Sequence, residues 1–291
     1  MSYNSVVKQS GSVPSSENLP IYFDLYAPVT NHGTPVPVLL FVHGFKGFKD
    51  WGAFPDACLE LARSGFGVVA FNLSLNGVGK SMTDFDEPDL FARQTLTQDL
   101  EDVGSVIEGV KTKKIEHEKV TLDTDRIGII GHSRGGHTAV AAAAEYADIH
   151  CLVTWNAVAD YSSRWSKEMV NDWKKQGFTE ILNSRTGQSM KIDKIVYDDA
   201  RENSDRLTAL ARARELYIPC MFIAAKQDEA VPYNDSVMLS RKAPAQDKEL
   251  RLIEKTGHTF GVSHPFDKED FPGPFADVMD LTEGWFLEYL K

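Results

Sequence analysis

Short apolar runs alternate with amphipathic stretches along most of the chain. The apolar runs are rich in β-branched side chains, as expected for strands that are buried on both faces. The predicted strands cover residues 21–27, 38–42, 66–73, 126–130, 151–155, 219–225 and 250–253. The predicted helices, where apolar positions recur with helical spacing, cover residues 54–64, 90–108, 138–147, 206–216, 236–242 and 275–290. This alternation predicts an α/β fold with a doubly wound, mainly parallel sheet in a single domain, residues 1–291.

The pattern loosens between residues 156 and 216, where aromatic side chains are scattered among charged ones. Thr186 and Gly187 mark a turn between two short strands at 180–184 and 188–192. A connection of about sixty residues is long for a crossover between neighbouring strands. We therefore expect residues 156–216 to form a lid inserted over the carboxyl edge of the sheet. The alternative is a surface excursion that contacts no ligand.

Charge and composition narrow the class of protein further. The 31 basic and 42 acidic residues give a net charge of −11, which disfavours nucleic acid as a partner. Cys58, Cys151 and Cys220 stand apart among apolar neighbours, as expected for buried thiols in a reducing compartment. The first twenty residues lack an apolar leader core, and no apolar run reaches about 18 residues. We therefore expect a soluble, cytoplasmic protein with no membrane partner.

A strand, a tight corner and a helix follow one another at residues 126–147. The corner reads Gly-His-Ser-Arg-Gly at 131–135, a Gly-x-Ser-x-Gly motif, and the alanine-rich stretch after it favours a helix. The residue at such a corner has strained backbone with positive φ, and its neighbours two positions away must be very small. The motif therefore raises the Ser133 hydroxyl at the carboxyl edge of the sheet, where a nucleophile belongs.

A serine nucleophile needs a base that takes its proton and a third group that orients the base. Asp228 follows the strand predicted at 219–225, and His258 lies five residues past the strand predicted at 250–253. The order Ser, Asp, His, with each residue at a strand end, allows one parallel sheet to bring the three side chains together. Ser133, Asp228 and His258 are thus the predicted catalytic residues.

Each partner has a rival. Asp160 is the second choice for the acid, whereas Glu229 is expected to face solvent. His264 is the rival base, but it is further from the last predicted strand. The His132 side chain is expected to point away from Ser133 and to pack in the sheet.

A tetrahedral intermediate also requires hydrogen-bond donors that point at its negative oxygen. The corner supplies the backbone N–H of Arg134, and the glycine-rich turn after strand 38–42 supplies that of Phe45. These two amides form the predicted oxyanion hole. The side chains of Arg134, Lys46 and Lys49 are expected to be solvated or paired with carboxylates.

Other kinds of chemistry fit the motifs poorly. Residues 79–81 match the end of a phosphate-binding loop, Gly-Lys-Ser, but Ser74 stands where its first glycine is required, and clustered acidic residues follow. No His-Glu-x-x-His or Cys-x-x-Cys spacing occurs in the sequence. We therefore expect no nucleotide, no metal and no other cofactor.

Because of these motifs, the sequence from Ile21 onward resembles the α/β-hydrolase superfamily. The matching motifs are His-Gly-Phe at 43–45, Gly-His-Ser-Arg-Gly at 131–135, the loop of Asp228 that ends in Val-Pro, and Gly-His at 257–258. The resemblance implies the α/β-hydrolase fold and cofactor-free hydrolysis of carboxylic esters through an acyl-enzyme. The family roles that it implies fall on Ser133, Asp228 and His258 for the triad, and on Phe45 and Arg134 for the oxyanion hole.

Within the superfamily the chain is similar to dienelactone-hydrolase-like proteins and to cinnamoyl or feruloyl esterases. The similarity lies in the run Phe-Lys-Gly-Phe-Lys-Asp-Trp at 45–51 and in the insertion near Arg185. Dienelactone hydrolases use a cysteine nucleophile, so Ser133 argues against that reaction. The loop that reads Asp-x-Arg-Gly-x-Gly in the family is Asn-Leu-Ser-Leu-Asn-Gly-Val-Gly at 72–79, so its charged pair is absent.

These observations predict a serine esterase that acts on a small-molecule ester. Ser133 attacks the acyl carbonyl, His258 transfers the proton, Asp228 orients His258, and water then releases the acid. A prolyl-oligopeptidase-like peptidase, a thioesterase or an acyltransferase with the same residues is the alternative among enzymes. A ligand-binding protein without turnover is the alternative from another class. The segment before Ile21 is too short for the propeller that restricts entry to such peptidases, which favours esters.

Overall fold

The computed structural model describes residues 5–30, 34–183 and 186–291. The strands are β1 (Val6–Pro14), β2 (Pro20–Pro28), β3 (Val36–Val42), β4 (Gly67–Phe71), β5 (Leu122–His132), β6 (Ile149–Trp155), β7 (Phe178–Asn183), β8 (Gln188–Asp193), β9 (Cys220–Ala225) and β10 (Lys248–Ile253). Within these ranges an eight-stranded sheet has the order β1-β2-β4-β3-β5-β6-β9-β10, and its neighbours from β4 to β10 are parallel. The predicted mainly parallel α/β sheet is confirmed.

The sequence pattern does not predict β1, which forms an edge of this sheet. Its antiparallel register with β2 runs from Val6 opposite Pro28 to Pro14 opposite Pro20. Val13 is the one buried residue of this strand, so no apolar run marks it. Backbone pairing with β2 defines β1, and periodicity does not detect such pairing.

Helices cover both faces of the sheet. They are α1 (Phe54–Arg63), α2 (Pro88–Ala92), α3 (Leu96–Lys111), α4 (Arg134–Glu145), α5 (Lys167–Gln176), α6 (Lys194–Glu202), α7 (Ser204–Leu207), α8 (Ala209–Arg212), α9 (Asn234–Lys242) and α10 (Gly273–Tyr289). The apolar residues of α1 and α10 pack in one cluster, and those of α3, α4 and α9 pack in another. Alternate residues of β3 point into the two clusters, Leu40 into one and Phe41 into the other. The sheet therefore separates two apolar cores.

Two of the predicted helices are interrupted. The stretch 90–108 divides into α2 and α3, where the Thr95 side chain caps α3 by accepting the N–H of Gln98. The stretch 206–216 divides into α7, α8 and a short 3-10 turn. The N–H of Ala209, the first residue of α8, donates to Nε2 of the buried His137 at 3.2 Å. Side-chain caps, which apolar spacing does not detect, set these breaks.

Residues 156–216 connect β6 to β9 and carry α5, the hairpin of β7 and β8, and α6 to α8. A third apolar cluster joins Trp173 and Tyr197 of this segment to Phe48 in the loop after β3 and to Phe91 of α2, at the carboxyl edge. The segment therefore packs over that edge of the sheet.

The β7–β8 hairpin is present at its predicted place, with Asn183 opposite Gln188. Ser184, the last residue of its first predicted strand, and Arg185 lie outside the described residues. The sequence does not predict α5 and α6, because charged side chains dominate both and few apolar positions reveal their spacing.

Cys58, Cys151 and Cys220 are buried free thiols, as the sequence predicts. In the part of the chain that the structure describes, no helix is both long and apolar enough to cross a membrane.

Candidate active site

Ser133 lies at the junction of β5 and α4, with φ 58° and ψ −120°. A Cβ on Gly131 would lie 2.3 Å from the carbonyl oxygen of Gly135, and a Cβ on Gly135 would lie 2.3 Å from that of His43. Only glycine fits at these two positions, because strand and helix meet there through their backbones. The N–H of Ser133 donates to the carbonyl of Trp155 at 2.9 Å, which ties the corner to β6. The strained strand-to-helix corner predicted from the motif is present.

A chain of hydrogen bonds joins Asp228, His258 and Ser133. Nδ1 of His258 lies 2.7 Å from Oδ2 of Asp228, and Nε2 lies 3.0 Å from Oγ of Ser133. Because an ionised carboxylate only accepts, Nδ1–H donates to Asp228, and the unprotonated Nε2 accepts from the Ser133 hydroxyl. The structure thus brings together three side chains that the sequence separates by up to 125 residues.

The side chain of Asp228 is closed to solvent and held as an ionised acceptor. Its Oδ1 accepts the N–H groups of Ala230 and Val231, each at 2.8 Å, in the loop after β9. Burial alone would raise the pKa of Asp228, but the bond from His258 and these two amides outweigh it, and the pKa lies below its ordinary value. Asp228 therefore stays charged at neutral pH.

The rival residues lie elsewhere. Oδ1 of Asp160 accepts the N–H of Ser162 at 2.9 Å in a surface turn, and Glu229 is exposed. Nδ1 of His264 accepts the N–H of Gly52 at 3.0 Å. None of the three rivals borders the cavities at Ser133 among the residues that the structure describes.

The expectation that His132 points away from the site is wrong. Its ring centroid lies 4.8 Å from that of His258, and its Nε2 lies 3.0 Å from the carbonyl oxygen of His258. The reason is that β5 continues through His132. Side chains along a strand point alternately to its two faces, and the side chain of His132 points to the face on which the His258 loop lies.

Phe45 and Arg134 border the same cavity as Ser133. Arg134 is the first residue of α4, where an N–H has no partner within the helix. Across the described ranges, neither N–H donates to another protein group. Their role as the oxyanion hole stays a prediction.

The Arg134 side chain is buried behind this amide. Its Nε donates to Oδ2 of Asp99 at 2.8 Å, and its guanidinium lies 4.8 Å from the ring centroid of Tyr161. Burial alone would lower the pKa of Arg134, but the Asp99 carboxylate outweighs it and raises the pKa above its ordinary value. The expectation of a carboxylate partner holds for this side chain. Apolar periodicity does not reveal Asp99 as that partner.

Lys49 also pairs with carboxylates, Asp24 and Asp50, each at 2.6 Å. Its N–H donates to Oδ1 of Asn72 at 2.7 Å, in the loop that departs from the family pattern. An uncharged side chain thus links this loop to the turn after β3.

His43 holds the turn that carries Phe45. Its Nε2 accepts the N–H of Leu73 at 3.2 Å, so Nδ1–H donates to the carbonyl of Gly44 at 2.9 Å. Burial lowers the pKa of His43 to about 4, so the ring is neutral at neutral pH. A fixed neutral tautomer therefore supports one wall of the site.

Two cavities meet at Ser133 and His258. One, of about 350 Å³, lies beside Trp51, Phe54 and His132. The other, of about 560 Å³, has mostly apolar and aromatic walls. The wall residues that residues 156–216 contribute to this larger cavity include Tyr161, Trp165, Met169, Ile181, Ile192 and Val196. Open space therefore borders Ser133 in both cavities.

Residues 79–81 do not form a phosphate cradle. Oδ1 of Asp86 accepts the N–H of Gly79 at 2.6 Å. A phosphate would need this N–H as a donor, but it already donates to a carboxylate. In residues 5–30, 34–183 and 186–291, no group of three or more His, Cys, Asp or Glu side chains is arranged to hold a metal ion.

Comparison with known families supports the resemblance to α/β-hydrolases that the motifs indicate. The profile of a family described as the prolyl oligopeptidase family matches residues 61–270, which include Ser133, Asp228 and His258. This chain belongs to the prolyl oligopeptidase family. The chain has the α/β-hydrolase fold, so the predicted fold class and superfamily are confirmed.

A curated relative of this family member is an uncharacterized 31.7 kDa protein from the traX-finO intergenic region of Escherichia coli. The two are 28% identical over 161 residues, which cover 55% of this chain and 51% of the relative. The chain thus spans about half the length of that relative.

Solved structures similar to this prolyl oligopeptidase family member share its fold at low identity. Est1E from Butyrivibrio proteoclasticus, with ferulic acid bound, has a TM-score of 0.71 at 19% identity, covering 96% of this chain and 98% of Est1E. The esterase domain of a Rhodothermus marinus protein has a TM-score of 0.65 at 16% identity, covering 98% and 100%. The acylaminoacyl peptidase of Pyrococcus horikoshii has a TM-score of 0.71 at 16% identity, covering 99% of this chain and 42% of the peptidase.

Proposed function

We propose that this protein is a serine hydrolase that cleaves a carboxylic ester through an acyl-enzyme. The observation that carries the proposal is the hydrogen-bond chain from Asp228 through His258 to Ser133, with distances of 2.7 and 3.0 Å. A serine hydroxyl is a poor nucleophile unless a base removes its proton as the new bond forms. The unprotonated Nε2 of His258 is in position to do so.

In the first half-reaction, Oγ of Ser133 attacks the ester carbonyl carbon while its proton moves to Nε2 of His258. The resulting oxyanion accepts hydrogen bonds from the N–H groups of Phe45 and Arg134. Collapse of the intermediate breaks the carbon–oxygen bond, and His258 returns the proton to the leaving alcohol. In the second half-reaction, water loses a proton to His258 and attacks the acyl carbon, which releases the acid and restores Ser133.

Asp228 contributes orientation and charge. By accepting Nδ1–H, it holds the imidazole in the tautomer whose Nε2 faces Ser133. It also stabilises the imidazolium that forms after proton transfer. Its lowered pKa supports this role, because the carboxylate stays ionised at neutral pH.

The acid part of the substrate is proposed to occupy the cavity of about 560 Å³, under a lid formed by residues 156–216. Tyr161, Trp165 and Phe91 give this cavity aromatic walls, which suit a bulky apolar or aromatic acyl group. The ferulic acid bound to Est1E, a similar structure, supports the same class of acid. The alcohol is proposed to leave through the smaller cavity.

Peptide-bond hydrolysis is the second candidate, because the chain belongs to the prolyl oligopeptidase family. The residues proposed for ester cleavage would also serve an amide. The mostly apolar and aromatic walls of the larger cavity suit the acid part of an ester, and the similar structures include an esterase domain. These two observations favour the ester.

The test is a panel of p-nitrophenyl esters with short, long and aromatic acids, assayed beside acylaminoacyl p-nitroanilides. We expect ester hydrolysis that disappears in Ser133→Ala, with a loss of about 10⁶-fold in kcat. A fluorophosphonate should label Ser133, identified by peptide mass. Full activity of Ser133→Ala would refute the proposal, and faster cleavage of the anilides would establish the peptidase instead.

A further inference from the structure

The backbone carbonyl of His258 accepts two hydrogen bonds. The donor atoms are Nδ2 of Asn156 at 2.8 Å and Nε2 of His132 at 3.0 Å. A carbonyl oxygen only accepts, so the His132 ring carries its proton on Nε2 and the Asn156 amide turns its NH₂ group towards residue 258. The ends of β5 and β6 therefore both hold the loop that carries His258.

Asn156 is rigidly placed for this contact. It is buried and has a left-handed φ of 49°, which asparagine tolerates better than most residues. Its N–H donates to the carbonyl of Ile223 at 2.8 Å, and its Oδ1 accepts the N–H of Ala225 at 2.7 Å. One side chain thus spans the end of β9, just before Asp228, and the loop of His258.

The His132 donor does not depend on pH in the neutral range. Burial lowers the pKa of His132 to about 3, so the ring is neutral and Nε2–H is always present. The facing titratable groups are His258, Asp228 and His43. The contact therefore persists through every protonation state that His258 takes during turnover.

The loop that carries His258 needs such support. It is irregular, and Lys255, Phe260 and Gly261 around it all have positive φ. The bond to Asp228 fixes the imidazole ring about Nδ1, but the distance from Nε2 to Ser133 also depends on where the backbone of residue 258 lies. A displacement of about 1 Å at a reacting group costs about 10²-fold in rate.

We propose that Asn156 and His132 are positioning residues that clamp the His258 carbonyl and so keep Nε2 within hydrogen-bond reach of Ser133. Neither residue touches the reacting atoms in this role. The effect on turnover rests on the proposed function, whereas the clamp itself does not.

Substitutions can remove one donor at a time. Asn156→Asp keeps an oxygen that accepts the N–H of Ala225, but it replaces the NH₂ group that donates to the His258 carbonyl. Asn156→Ala removes that NH₂ group without adding a charge. His132→Phe keeps a ring without a donor, and His132→Gln restores an N–H near the position of Nε2. Thr154→Val is the matched control, since the buried Thr154 hydroxyl on β6 has no hydrogen-bond partner among the residues described.

We expect kcat for a p-nitrophenyl ester to fall about 10- to 100-fold in both Asn156 variants and in His132→Phe. KM should stay unchanged in the Asn156 variants, because Asn156 borders neither cavity in the described structure. His132→Gln should recover part of the kcat that His132→Phe loses, and Thr154→Val should remain close to wild type. Wild-type kcat in folded Asn156→Ala and His132→Phe would overturn the clamp.

A second measurement does not need a substrate. The Nδ1–H proton of His258, shared with Asp228, should give a sharp downfield NMR signal in wild type and Thr154→Val. The signal should broaden or vanish in Asn156→Ala and His132→Phe. Sharp signals in both variants would refute the clamp. Broadened signals in a protein that hydrolyses no ester would refute the proposed function and leave the clamp intact.

Discussion

Asp99 on α3 and Arg134 on α4 form an ion pair, with 2.6 Å between Oδ2 and the guanidinium nitrogen and side-chain exposures of 0% and 1%. Arg134 also donates to the carbonyl of Gln94 at 3.0 Å, next to the start of α3. Arg134, the residue directly after Ser133, is therefore anchored to a second helix. Packing between α3 and α4 controls the backbone on which the proposed oxyanion hole depends.

Replacing Asp99 by alanine leaves the Arg134 guanidinium buried without its carboxylate. Breaking a buried pair in this way costs about 3–5 kcal/mol, and we expect the free energy of unfolding in urea to fall by that amount. We also expect kcat to fall, because the Arg134 amide loses its anchor. Asp148→Asn breaks the exposed pair with Lys111 and should cost less than about 1 kcal/mol. Similar losses in the two variants would contradict the prediction.

Asp228→Asn should lower kcat by about 10⁴-fold, because an amide no longer selects the tautomer of His258 whose Nε2 accepts a proton. The measurement is steady-state hydrolysis of the best p-nitrophenyl ester. Glu229→Gln is the matched control, since its exposed neighbouring carboxylate should be dispensable. Equal activity of the two variants would show that Asp228 does not orient the base.

Asp102 on α3 should make stability depend on pH. Its Oδ2 accepts the N–H of Ser74 at 2.6 Å, and burial raises its pKa from 3.8 to about 7. The folded chain therefore keeps a proton that the unfolded chain releases, and this stabilisation is lost as pH rises towards 7. Relative to Asp102→Asn, the unfolding free energy of the wild type should fall by a few kcal/mol between about pH 4 and pH 7, then level off. A pH-independent difference between the two proteins would contradict this.

The cysteines should be inert in the folded protein. Cys58, Cys151 and Cys220 are each 0% exposed, and burial raises the pKa of all three, that of Cys220 to about 12. A thiolate is the reactive form, so a disulfide reagent such as DTNB should not react with the native chain at pH 8. In denaturant, three thiols per chain should react. Rapid reaction of any thiol in the native state would disprove the burial argument.

Trp165→Ala tests whether residues 156–216 act as a lid over the acyl group. Trp165 borders the larger cavity, and its ring packs on Tyr161 and Trp173. We expect KM for aromatic acyl esters to rise about tenfold, while acetyl esters change little, because only large acids reach that wall. Ile195→Ala alters an exposed residue of the same segment and should leave KM unchanged for both aromatic acyl esters and acetyl esters. Equal effects on acetyl and aromatic esters would argue against the lid.

The central part of the fold follows from sequence because β3, β4, β6 and β9 are buried along almost their whole length. Such strands leave uninterrupted apolar runs. The exposed edge strand β1 leaves no run, and charged α5 leaves little helical spacing. Where tertiary pairing rather than burial defines an element, periodicity does not find it.

The candidate site divides in the same way. The sequence predicts Ser133, Asp228 and His258 because a parallel sheet places successive strand ends at one edge. It does not predict the contacts of Asn156 and His132, because a hydrogen bond to a backbone carbonyl has no signature in residue type. It does not predict the pairing of Asp99 with Arg134 either, because the two residues lie on different helices.

The third apolar cluster takes its members from residues 156–216 and from the loops and helix α2 between β3 and α3, and none of its described members belongs to the eight-stranded sheet. Substitutions at Met190 or Tyr197 would therefore act on the cluster and on Phe45, which packs against it, and not on the sheet that positions the nucleophile.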